Sequence, residues 1–125
     1  RLPRASNVVK EEPQEIEKLW GHETVLFPSR QKYCAKLLHL HKGAQSSHHR
    51  HPSKEESFYC LEGTAVLTVT GKSYMLTPFA RPKTILPGEE HSFHGVTEAI
   101  ILEVSTHDDP EDVERFSTSQ PGVSY

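Results

Sequence analysis

No apolar run in this 125-residue chain approaches the roughly 18 residues of a membrane-spanning helix, which argues against a helical membrane protein. Positive charge is not in excess either. The 14 Lys and Arg against 17 Asp and Glu leave a formal charge of −3, the wrong sign for a general phosphate-backbone binder, so nucleic acid is not an expected partner. Cysteine is scarce: Cys34 and Cys60 form no Cys-x-x-Cys pair, which disfavours a zinc ribbon or a dithiol redox motif. Both lie in apolar, strand-like runs and read as buried, reduced thiols of a cytosolic protein. The opening Arg-Leu-Pro-Arg has none of the charged-then-apolar pattern of a secretion signal, so the expected location is cytoplasmic. Apolar residues make up 34% of the chain, lean for a globular protein but well above a disordered composition. One domain with one core fits this length. The unusual abundance is histidine, with nine in all and four between positions 41 and 51.

Residues 1–19 are polar, rich in Glu and Lys, and interrupted by Pro3 and Pro13. They read as an N-terminal arm with at most a turn or two of helix at 14–19. From Trp20 onward short β-type runs follow one another at 24–27, 33–41, 57–61, 64–70, 72–76, 83–86, 91–94 and 99–104, separated by Gly, Pro and Ser. Turn signals such as Glu62-Gly63, Thr70-Gly71-Lys72 and Pro87-Gly88 recur about every ten residues, the rhythm of an antiparallel sandwich or barrel. The expected class is therefore all-β, a single antiparallel barrel or jelly roll over residues 20–116. A tail at 117–125 is expected to lie loosely on the surface or on a partner subunit.

The chemistry concentrates at 43–56, Gly-Ala-Gln-Ser-Ser-His-His-Arg-His-Pro-Ser-Lys-Glu-Glu. Alternate residues of a strand share a face, so His49 and His51 can aim at one point while His48 and Arg50 face away. After the Pro52-Ser53 turn, Glu56 begins the next strand and can add a carboxylate oxygen. The Pro87-Gly88 turn sets His91 at the head of a further strand, from which a third imidazole can reach the same point. Three histidines and a glutamate suit one divalent transition ion, Zn, Mn, Fe, Ni or Co, with coordination positions left open. By the same alternation His39 and His41 belong on the outer face, and His94 reads as a polar strand residue.

The spacing Gly43, five residues, His49, one, His51, four, Glu56, six, Gly63 resembles the first motif of the cupins. The second motif is weaker: Gly88 and His91 are kept, while Ala80, Leu86 and Gly95 replace a usual glycine, proline and asparagine. Within that superfamily, residues 17–23, Glu-Lys-Leu-Trp-Gly-His-Glu, and the segment 33–43 are similar to type II mannose-6-phosphate isomerase cupins. The exit Glu103-Val104-Ser105-Thr106 resembles the closing segment of sugar-isomerase cupins. His49, where mannose-6-phosphate isomerases generally carry glutamine, together with Lys54, looks more like the D-lyxose isomerase branch.

The resemblance implies a small-molecule substrate, a sugar or sugar phosphate, and a homodimer formed by exchange of edge strands. An aldose–ketose isomerase needs a metal to stabilise enediolate charge and a base to move a proton between adjacent carbons. Glu103, embedded in the apolar run 99–104, is the candidate base, because an unpaired carboxylate there would be costly to bury. Lys54 is the candidate partner for a sugar oxygen, and Lys36 is either a site cation or a rim residue. Two other classes use the same four ligands: a non-catalytic sugar- or effector-binding cupin and a cupin dioxygenase. A polar, charged pocket lining favours a sugar, and an aromatic and aliphatic one a dioxygenase substrate.

Overall fold

A computed structural model describes residues 12–27, 32–107 and 109–122. Eleven strands and no helix occur among them: β1 (Gln14–Lys18), β2 (Gly21–Phe27), β3 (Cys34–Leu40), β4 (His49–Arg50), β5 (Glu56–Glu62), β6 (Ala65–Val69), β7 (Lys72–Leu76), β8 (Lys83–Ile85), β9 (His91–Gly95), β10 (Ala99–Ser105) and β11 (Glu114–Arg115). They form a six-stranded sheet, β1-β2-β3-β10-β5-β8, and a five-stranded sheet, β11-β4-β9-β6-β7. Every pairing is antiparallel. The expected all-β barrel is therefore what the chain forms. No helix of the described residues is long and apolar enough to cross a membrane.

Two local expectations are corrected. The stretch at 14–19 is not helical, because β1 runs antiparallel to β2 with Gln14 opposite Val25 and Lys18 opposite Gly21. The exposed side chains of Gln14–Lys18 carried no periodic signal, and ladder bonding to β2 decides the conformation. Nor does the described part of the 117–122 tail lie loose. Ser117 Oγ accepts the His48 N–H at 2.8 Å, Ser119 Oγ accepts that of Ser47 at 3.1 Å, and Gln120 exchanges backbone bonds with Gln45.

The inward faces of the two sheets make one core with a change of character along the barrel axis. At one end Leu38, Leu40, Phe58, Cys60, Leu67, Phe93 and Ile101 pack together, all 5% exposed or less, with the Phe58 and Phe93 rings edge to face at 4.7 Å. Two residues further along the same strands the inward positions turn ionisable. Ile101 gives way to Glu103 on β10, Leu38 to Lys36 on β3, Phe58 to Glu56 on β5 and Phe93 to His91 on β9. The apolar end holds the sheets together; the polar end needs a partner for what it buries. Cys34 and Cys60 are both buried and no disulfide joins them. Gly63 ends β5 with φ +74°, and a Cβ there would strike the Glu98 carbonyl oxygen, so both conformation and space demand glycine. Gly88, at φ +85°, turns the chain into the segment that delivers His91.

Candidate metal centre

Strand alternation sets where these histidines point. His49 and His51 flank Arg50 and turn inward, and His49 lies directly opposite His91 across β4 and β9. One ligand nitrogen from each of His49, His51 and His91 lies within 4.8 Å of the others, an arrangement compatible with a metal ion. The carboxylate of Glu56, 2% exposed, completes the cluster, with Oε1 3.3 Å from His51 Nε2 and Oε2 3.0 Å from His91 Nε2. His48 faces outward to Glu90 at 3.1 Å, and His94 is exposed. His39 stacks on His22 away from the cluster at a centroid distance of 4.0 Å.

Each of the three imidazoles is fixed from behind by a backbone carbonyl. Nδ1 of His49 donates to Ser47 O at 2.7 Å, that of His51 to Asp112 O at 2.7 Å, and that of His91 to Glu89 O at 2.9 Å. A carbonyl can only accept, so Nδ1 carries the proton, and in the neutral ring the Nε2 lone pair points into the cavity. Glu56 Oε2 and His91 Nε2 are buried, close, and out of line for a hydrogen bond with any neighbour. Acceptors converging in this way repel one another unless a cation lies between them, so the donor set fits a divalent ion.

The local electrostatics agree at two of the three imidazoles. Burial, reinforced by the neighbouring His91, lowers the His49 pKa to about 4, and burial also lowers that of His51, so both stay neutral and ligand-competent near pH 7. Burial would raise Glu56, but His91, Lys54 and His51 outweigh it and hold the carboxyl down at about 2. For His91 the burial penalty is outweighed by the Glu56 carboxylate, and its pKa is raised.

Beside this cluster lies a second set of charges. Lys54 is 4% exposed, with Nζ 2.8 Å from Glu56 Oε1 and 3.6 Å from Glu103 Oε2. It is a buried bridge between the two carboxylates. Glu103 faces inward opposite Lys36, and its Oε2 has no hydrogen-bond partner. Burial, with Glu56 adding to it against the pull of Lys54 and Lys36, raises the Glu103 pKa to about 7. Lys36 is also internal, 3.8 Å from Glu23. Glu23, Trp20 and Arg115 line the same cavity of about 370 Å³ and were not singled out from the sequence as site residues. Glu23 was legible, since it stands two residues before the buried Val25 and so shares its face. Arg115 was not, because nothing in its neighbourhood signals the two-residue strand β11.

Comparison with known proteins extends this picture. Residues 36–80 match the family model of the cupin domain. The chain is 30% identical over 89 residues to a D-lyxose ketol-isomerase of a Thermofilum species, covering 66% of this chain and 47% of that protein. It is 29% identical over 119 residues to a D-lyxose/D-mannose isomerase of Thermosediminibacter oceani, covering 73% of this chain and 65% of the relative. The chain thus spans between about half and two thirds of the length of these relatives. Among solved structures, Streptomyces Pac13, described as a nucleoside dehydratase, superposes with a TM-score of 0.73 at 13% identity, over 89% of this chain and 93% of that one. At that identity the likeness speaks to the fold alone.

Proposed function

We propose, from the premise that this chain is a cupin similar in sequence to sugar isomerases, that it is a metal-dependent aldose–ketose isomerase or epimerase. His49, His51, Glu56 and His91 are the metal ligands and Glu103 is the base. The observation that carries the reading is the pairing of two unlike carboxylates in one cavity. Glu56 is held ionised among imidazoles, while Glu103 is held near neutrality by burial 3.6 Å from the lysine that bridges them. A divalent ion held by the four ligands would supply Lewis-acid stabilisation of charge on two adjacent sugar oxygens.

The chain's own residues do the rest. Glu103, inward-facing and with an Oε2 that no neighbour hydrogen-bonds, can take a proton from the carbon beside the carbonyl and return it to the neighbouring carbon. Lys54, fixed by Glu56 and Glu103, donates a hydrogen bond to the sugar oxygen on which charge develops. Trp20, Phe58 and Phe93 give the cavity part of an apolar lining, while Glu23, Lys36, Lys54 and Glu103 line it with charge. That charged lining favours a polyhydroxylated substrate over the apolar substrate of a dioxygenase. The same reading includes a homodimer, supported by β1, an edge strand exposed along its whole length.

The test is incubation of metal-loaded protein with pentoses, hexoses and their phosphates in deuterated water. An aldose–ketose pair should interconvert, with solvent deuterium entering the carbon next to the carbonyl. If no sugar in the panel exchanges or turns over with any of the divalent metals, the catalytic reading fails and a sugar-sensing role takes its place.

A further inference from the structure

The short strand pair β4–β11 carries two arginines in different circumstances. Arg50 points to the outer face, where its Nη2 lies 2.8 Å from Glu114 Oε2 and its guanidinium sits 5.7 Å from the centre of the Phe116 ring. Arg115 is one residue further along β11 and directly opposite His49. Directly opposed residues of antiparallel strands project to the same face, so Arg115, itself exposed, shares the face of a metal ligand and lines the opening of its cavity. No ion pair or hydrogen bond occupies its guanidinium among the described residues.

The charge around it is uneven. In the depth of the cavity each carboxylate has a lysine, Glu23 with Lys36 and both Glu56 and Glu103 with Lys54. Asp109 also lines the cavity, but its Oδ1 accepts the Glu111 N–H at 3.0 Å and it forms no ion pair with Arg115. Arg115 also borders a second hollow of about 560 Å³, and the two spaces share Ser47, Arg115 and Ser119. Both spaces are thus bordered by Arg115 and two serines, of which Ser119 Oγ accepts the Ser47 N–H at 3.1 Å and Ser47 Oγ lies 3.3 Å from His49 Nδ1. A planar fork of donors with no acid to hold is suited to an oxyanion brought by the ligand.

We propose that Arg115, with Ser47 and Ser119, forms an anion subsite at the mouth of the barrel, and that the sugar handled there carries a phosphate ester or a carboxylate at the end remote from its reacting carbons. The inference rests on the isomerase reading for the identity of the ligand as a sugar. The subsite then anchors the substrate so that its carbonyl end, not its charged end, reaches the metal ligands.

Calorimetric titration of manganese-loaded protein with sorbitol, sorbitol 6-phosphate and gluconate tests it, using affinity ratios that general damage to the site does not mimic. The wild type should bind at least one of the charged polyols about ten-fold or more tightly than sorbitol, and whichever of the two is favoured identifies the anion. Arg115→Gln should bring that ratio below about three, Arg115→Lys should recover part of it, and Arg50→Gln should keep it. A wild type without preference refutes the subsite. So does a preference that survives in Arg115→Gln, which would place the anion on the metal itself. An equal loss in Arg50→Gln and Arg115→Gln also refutes it, since a general field would then suffice. If Arg115→Gln fails to hold metal, the Arg115→Lys and Arg50→Gln ratios still decide. Anion preference without turnover of any sugar overturns the isomerase reading alone, and turnover of neutral and charged sugars alike overturns the subsite alone.

Discussion

Glu103→Gln should slow the proposed isomerase reaction and make the protein better at staying folded, and the pH dependence of the second effect is specific. Glu103 is 6% exposed and its pKa is raised from 4.5 to about 7, chiefly by burial. Between those two values the folded protein keeps a proton that the unfolded chain has released. Stability therefore falls as pH rises through this window and then levels off. The accumulated cost above pH 7 is about 3 kcal/mol. Glutamine fills the same space without that charge, and Lys54 is not stranded, since Glu56 remains 2.8 Å from its Nζ. Urea unfolding of chelator-treated protein should show the variant and wild type within about 1 kcal/mol of each other at pH 4, with the variant ahead by about 2 to 3 kcal/mol at pH 8. Chelation matters because a bound cation favours the ionised carboxylate and would mask the effect. Reloaded with metal, the variant should bind its full equivalent yet lose about 10²-fold or more in turnover. A stability difference that does not change with pH, or a variant less stable at pH 8, would refute the claim that burial of this carboxyl opposes folding.

Further outcomes follow from the same structure. Protein purified without a histidine tag should contain close to one equivalent of a divalent transition metal by elemental analysis, and His51→Ala should remove most of it. A full equivalent in H51A would mean that the ligand set is wrong. Gly63→Ala, at φ +74° with the Glu98 carbonyl in the way, should destabilise the fold by about 2 kcal/mol or more, read from the midpoint of a denaturant melt with an unchanged slope. Leu67→Ala, at a fully buried position opposite Phe93, should cost about 2 to 5 kcal/mol and leave metal content per folded molecule intact. Metal loss in that variant would show that the apolar end of the barrel and the ligand end do not behave as separable layers.

Much of this protein was legible in the chain itself, for reasons of period and punctuation. Side chains two apart share a strand face, so His49 with His51, and the alternation of β5, β6 and β10, fixed which residues could meet. Glycines and prolines at 43, 52, 63, 87 and 88 marked where strands had to end. The central strands, the inward histidines and the inward Glu103 all follow from such local rules. The rest did not, because it depends on partners distant in sequence. The strand β1 exists only through its ladder to β2, and the tail is tied down through Ser117, Ser119 and Gln120 by a segment some 70 residues earlier. The two-residue strand β11 has no period of its own, so the face on which Arg115 stands was decided by its register against His49. Local sequence could name four carboxylates and lysines as candidates for the cavity, but only packing could set Lys54 between Glu56 and Glu103. Burial pushes both carboxyls up; at Glu56 the neighbouring His91, Lys54 and His51 overcome it, and at Glu103 Lys54 and Lys36 do not. Ionisation in a closed space depends on every charge and every excluded water around the group, and those are brought together only when both sheets close.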